Sequence, residues 1–193
     1  MKIKVALNQK SIKNALNALK TAEKQLKGEM LDEFYKRCYN YFVSRANYYL
    51  EVSGIGNFVI PKIQASWSYK KIAGGIRIIN DDEKAVYIEF GVGIVGKENS
   101  HPNAEETNYK YNIPTASKRA GNFHDEDTWR FYVYSREEID LVEGYYEEWE
   151  TQSGSTKVIT RGSPSIMYAF NALEDLKLKY KQIWQEVKVK YWG

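Results

Sequence analysis

From Ile12 onward, apolar side chains return every three or four residues: Ile12, Ala15, Leu16, Leu19, Ala22 and Leu26. That spacing predicts an amphipathic helix, with Asn8 or Ser11 placed to cap it. Gly28 marks an expected break or kink. Beyond it Leu31, Phe34, Cys38, Tyr41, Phe42 and Tyr49 resume the helical face, which stops before Ser53 and Gly54. The run is therefore expected to be one long interrupted helix or two consecutive ones. A weak alternation in residues 2–7 (KIKVAL) suggests a short strand before it.

The pattern then changes period. "GIGNFVIP" (54–61) reads as a loop punctuated by glycine and proline. Three strand-like runs follow, Ile63 to Lys70, Gly75 to Asn80 and Ala85 to Phe90, separated by turn residues, and an antiparallel meander is the simplest arrangement. Residues 96–127 have no period and are polar, as a long functional loop would be. Trp129 to Ser135, Tyr145 to Glu150 and Thr156 to Thr160 look like further strands. At the end, Ser163-Pro164 reads as a helix start. Ile166, Phe170, Leu173, Leu176, Tyr180, Ile183 and Val187 follow at helical steps. The order predicts an α+β fold, a mostly antiparallel sheet packed against a long N-terminal helix and a C-terminal helix. Its 193 residues suit a single domain with a long loop insertion at about 96–127.

Composition agrees with a folded chain: 43% hydrophobic and 27% charged residues, net charge +3. One cysteine excludes an internal disulfide framework, and Cys38 is expected as a buried thiol in a reducing compartment. No signal peptide is expected at the start, and no run reaches the length of a membrane span. The chain is thus expected to be made in a cytoplasm. Sixteen tyrosines and five tryptophans favour contact surfaces, where such side chains concentrate.

Candidate chemistry is sparse. The two histidines, His101 and His124, both lie in the polar loop, and neither HExxH nor CxxC spacing occurs. The expectation is no catalytic residue, no metal site and no cofactor. Glu89, within "AVYIEFGVG" (85–93), is the one conspicuous acid. On a strand, Val86, Ile88 and Phe90 would face the core and Tyr87 and Glu89 the other side, so Glu89 is expected to be solvated or paired with an arginine. Charge is also segregated. Residues 1–27 hold seven lysines and one acid, and residues 125–150 hold ten acids and two arginines. A head-to-tail contact between copies would join such patches. The candidate interface residues are Lys13, Lys20 and Lys24 on the basic side, Glu137, Glu138, Glu147 and Glu148 on the acidic side, and Tyr87 and Glu89 on the exposed strand face. The lysines could instead face DNA phosphates.

Three stretches carry a resemblance. "AVYIEFGVG" (85–93) resembles a signature of a family of tailed-bacteriophage minor tail components, the tail-completion or head–tail joining proteins. "WRFYVY" (129–134) and "TRGSPSIMYAFNAL" (160–173) resemble that family's later aromatic strand and its entry into the last helix. Val92 stands where the family has threonine, and Ser165 and Ile166 stand where proline or phenylalanine is common. The resemblance implies a structural virion protein of the neck or tail end and not an enzyme. It implies a ring of copies of this chain between a tail-tube or tail-terminator protein and a head–tail connector or stopper protein, with passing contact to DNA and none to membrane. A head-side connector or adaptor, a DNA-binding protein using the lysine-rich helix, and a hydrolase using Glu89 or His124 remain as alternatives.

Overall fold

A computed structural model describes residues 9–54, 59–111, 123–124, 129–132, 146–150 and 156–192; the side chains of residues 9–12, 15, 123–124, 129–132, 146–150 and 156–159 are outside that description. Among the described residues the helices are α1 (Gln9–Ser53), α2 (Ile60–Ala65), α3 (Ala85–Phe90), α4 (Gly93–Glu98) and α5 (Tyr168–Trp192). The strands are β1 (Trp67–Ile72), β2 (Gly75–Asn80), β3 (Phe123–His124), β4 (Trp129–Tyr132), β5 (Tyr146–Glu150), β6 (Thr156–Thr160) and β7 (Gly162–Ser163). β1 and β2 form an antiparallel hairpin with Trp67 opposite Asn80. A second antiparallel sheet has the order β3-β4-β6-β5, with β5 at its edge among the described residues. The class is α+β, with a long helix at each end.

The chain divides into two compact units, one made of Met1–Asn40 and Lys177–Gly193, the other of Tyr41–Leu176. In the first, Met30, Cys38, Ile183 and Val187 are buried, and the Phe34 ring meets Trp184 edge-on at 5.3 Å. Glu33 accepts from Arg37 at 2.9 Å and from Lys190 at 3.1 Å, and these bonds hold its carboxyl below the usual range. Burial pushes the Cys38 thiol up to about 11. From residue 13 to residue 29 the described side chains of α1 are exposed, save half-buried Ala22 and Leu26.

The second unit holds the main core. Phe42, Ala46 and Leu50 of α1 pack with Val59, Ile63, Ala85, Ile88, Val92, Tyr168 and Ala172. The Trp67 indole lies edge-on to Phe42 and to Tyr168 and donates to Asn47 Oδ1 at 3.0 Å. Arg45 binds Asp175 at 2.5 Å, and the Tyr49 hydroxyl donates to the same oxygen.

Several sequence expectations are corrected. Gly28 does not break the helix: α1 runs through it, and a glycine in open space weakens a helix without ending it. The first expected strand begins at Trp67, because Val59-Ile60-Pro61 starts a short helix with proline in its first turn. Ala85–Phe90 is helix α3, not a strand. The Asp82 side chain accepts from the Lys84 N–H at 2.8 Å, and Ala85, Ile88 and Glu89 are then buried at helical spacing while Val86 is exposed. The same residues satisfy a two-residue and a helical period, and the Asp82 turn decides between them. Ser163-Pro164 does not open the last helix. Ser163 pairs in β7, and α5 begins at Tyr168. The polar loop is structured as far as described: α4 runs to Glu98, turns occupy residues 102–108, and His101 and Ala104 are buried. The expected strand in residues 2–7 and residues 112–122, 125–128 and 133–135 lie outside the described residues.

Candidate functional site

Residues 90–93 (FGVG) and 160–167 (TRGSPSIM) are neighbours only because the fold makes them so. Val92 pairs with Ser163 and Gly93 with Gly162 in antiparallel bridges. The backbones approach too closely for side chains at three of these positions, Gly91, Gly93 and Gly162. A Cβ on Gly91, at φ 76°, would lie 2.7 Å from the Pro164 carbonyl carbon, and one on Gly162, at φ 101°, would lie 1.9 Å from the Val92 oxygen. Both the left-handed backbone and the contact demand glycine.

This contact brings the end of α3 against the start of α5. The carbonyl of Ile88 accepts from the Ile166 N–H at 3.1 Å, and that of Glu89 accepts from the Met167 N–H at 3.2 Å and from the Ser165 hydroxyl at 2.5 Å. The Tyr168 hydroxyl, its pKa raised by burial and then by the nearby Glu89 charge, donates to the Ala85 carbonyl at 3.2 Å. Orphan acceptors at one helix end thus meet donors at the other.

Glu89 completes the junction. It is 7% exposed. Its Oε2 accepts from the Ala169 N–H at 2.7 Å and its Oε1 from the Phe170 N–H at 2.9 Å. Those are the second and third residues of α5, whose N–H groups a capping side chain normally satisfies. The preceding residue, Met167, at φ 54°, has no side-chain oxygen to offer. Glu89 therefore caps α5 from a distant part of the chain, with its negative charge at the positive end of the helix dipole.

His101 holds the carboxylate in place. Its Nδ1 accepts from the Asn103 N–H at 3.0 Å, so Nε2 carries the proton and donates to Glu89 Oε1 at 2.9 Å. The ring packs on Phe90 at 4.3 Å and edge-on to Phe170 at 5.3 Å. Phe90 stacks in turn on Tyr109, whose hydroxyl donates to the Gly91 carbonyl at 2.8 Å; burial, and after it the neighbouring Tyr87 and Tyr111, push that hydroxyl's pKa up. A cavity of about 460 Å³ beside His101 is lined by Lys97, Ser100, Asn108 and Tyr111, among others.

In this arrangement both Glu89 oxygens and both His101 nitrogens take part in hydrogen bonds. Among the described residues no group of three or more His, Cys, Asp or Glu side chains is placed to hold a metal. No helix among them is long and apolar enough to cross a membrane.

The sequence-predicted residues fall apart into separate places. Lys13, Lys20 and Lys24 are exposed on α1, in the first unit. Tyr87 is half-buried on α3, and Glu89 is not on an exposed face at all; the helical period turned it inward. Glu147 and Glu148 lie on edge strand β5, with side chains outside the described residues. Glu137 and Glu138, and the side chain of His124, are likewise outside them. His101 and Gly162 were not predicted as partners of the 85–93 stretch. The glycines at 91, 93 and 162 were the one available signal. No family model, no curated protein and no solved structure matches this chain.

Proposed function

We propose that this chain is a structural protein of a tailed-bacteriophage virion, a tail-completion or neck component that forms a ring joining the tail tube to the head connector. It would be made in the host bacterial cytoplasm and act in the particle. The observation that carries the reading is the junction at Glu89. Two of the stretches that resemble the tail-component family, 85–93 and 160–173, are far apart in sequence and interlock through Gly91, Gly162 and the Glu89 cap. Their residue types answer to packing and helix capping, which suits a protein that works by fit with no bond made or broken. The partners are further copies of the chain, a tail-tube or tail-terminator protein and a connector or stopper protein. Mass spectrometry of purified particles tests the role. Several copies per particle are expected; absence from particles, with the chain found free in infected cells, would end the proposal.

A further inference from the structure

The two compact units differ sharply in charge. The first, Met1–Asn40 with Lys177–Gly193, holds fourteen lysines and arginines against five acids, a formal +9. The second, Tyr41–Leu176, holds fourteen against twenty, a formal −6. In the first unit part of that charge follows a repeat along α1.

Within this unit α1 and α5 run antiparallel, tied by Arg37 to Glu186 at 3.4 Å and by Lys190 to Glu33 at 3.1 Å. α5 is described as far as Trp192, two residues past Lys190, and Met30, three residues before Glu33, is the first buried side chain of α1 among the described residues. Before it Leu16 and Leu19 are 53% and 52% exposed, and Leu26 is half-buried. Residues 13–29 span roughly 25 Å at 1.5 Å per residue. A helix of that length is marginal in water without a partner.

The apolar spacing changes at the same point. Where α5 lies alongside, Met30, Phe34 and Cys38 stand four residues apart. Ahead of that, Leu16, Leu19, Glu23, Leu26 and Met30 alternate steps of three and four. That is the seam of a coiled coil, with one acid set into it. Lys13, Lys20 and Lys27 recur every seven residues, all exposed; Lys20 and Lys27 directly follow Leu19 and Leu26. They therefore line one flank of the seam, where coiled-coil partners pair charges.

We propose that residues 13–29 of α1 are one strand of a two-stranded coiled coil whose other strand is an acid-flanked helix of a different protein. Charge selects that occupant and rejects a second copy. A parallel self-pair would set Glu23 against Glu23 in the seam and offer Lys20 and Lys27 only Ala15 and Ala22 across the flank. An antiparallel self-pair would set the lysine flanks against each other. A phosphate backbone would engage the lysines and leave the leucines in water. The inference stands on spacing, exposure and charge, and holds whether or not the chain belongs to a virion.

Isothermal titration calorimetry on the full chain tests it with two designed helical peptides about three heptads long. Both carry leucine along the seam and a lysine in the layer facing Glu23. The acidic probe has glutamate at the flanking positions, and the basic probe has lysine. The acidic probe binds, about tenfold or more tightly than the basic one at low salt. Leu16→Gln/Leu19→Gln, which keeps good helix formers at both places, loses that binding with its circular dichroism unchanged. Lys13→Glu/Lys20→Glu/Lys27→Glu reverses the preference toward the basic probe. In sedimentation velocity, Glu23→Leu pairs with itself at concentrations where the seam of the wild type does not. An acidic probe that fails to bind by about 500 µM, or binds no better than the basic one, would overturn the proposal. So would wild-type self-association that Leu16→Gln/Leu19→Gln abolishes, or a short DNA duplex that displaces the acidic probe. None of these measurements involves a virus particle, so failure of this contact and failure of the virion role are distinguishable.

Discussion

Glu89 shows how little of a residue's role its type reveals. In an apolar run it had three readings, as an acid catalyst, a solvated strand residue or an interface residue. It caps a helix that begins 79 residues later, at Tyr168. Glu89→Gln keeps the shape but turns an N–H donor toward the α5 amides, and Glu89→Ala leaves those amides and His101 without an acceptor. Removal of a cap and of a buried acceptor costs about 2 kcal/mol or more. Urea denaturation should show the alanine variant losing at least that much, with the glutamine variant between. An unchanged midpoint would mean that the cap does not hold α5. The glycines divide in the same way. Gly91→Ala meets the Pro164 backbone at 2.7 Å in a left-handed conformation and should destabilise by about 3 kcal/mol. Gly28→Ala has nothing within 4 Å and should stabilise by roughly 0.5–1 kcal/mol.

At the scale of elements, long helices were legible and short ones were not. Cys38 and Phe42 of α1 and Ile183 and Val187 of α5 sit at buried helical positions, because many repeats of one period leave no second reading. Six residues at 85–90 fit either period, and the choice lay in Asp82, outside the run. The start of α5 was misplaced for a related reason: serine and proline usually mark a helix entry, but here Ser163 pairs with Val92 and the cap comes from α3. The candidate site depends on contacts 70 to 80 residues apart and so was legible only as two motifs without a link. The ion pairs that tie α1 to α5 make a prediction about acid. Asp175 beside Arg45, and Glu33 beside Arg37 and Lys190, have carboxyl pKa values lowered from 3.8 and 4.5. Their contribution is present above those ordinary values and is lost as pH falls through the lower folded ones. Circular dichroism against urea between about pH 6 and about pH 2 should show stability falling in that window, and Asp175→Asn should flatten part of the fall. A wild type and variant with parallel curves would contradict the assignment.

For the whole molecule, the division into a +9 and a −6 unit makes charge an organising feature that the net value hides, and it turns the basic and acidic runs of the sequence into properties of two folded bodies. The capped junction of α3 with α5 gives the acidic unit a fixed frame, and the exposed leucines and lysines of α1 leave the basic unit with a surface to cover. The proposed virion role is tested most directly by a cryo-electron microscopy map of the neck in intact phage particles. The proposed role predicts a ring of this chain between tail tube and head connector. A neck fully accounted for by other chains, with this one missing from the particle, would contradict it.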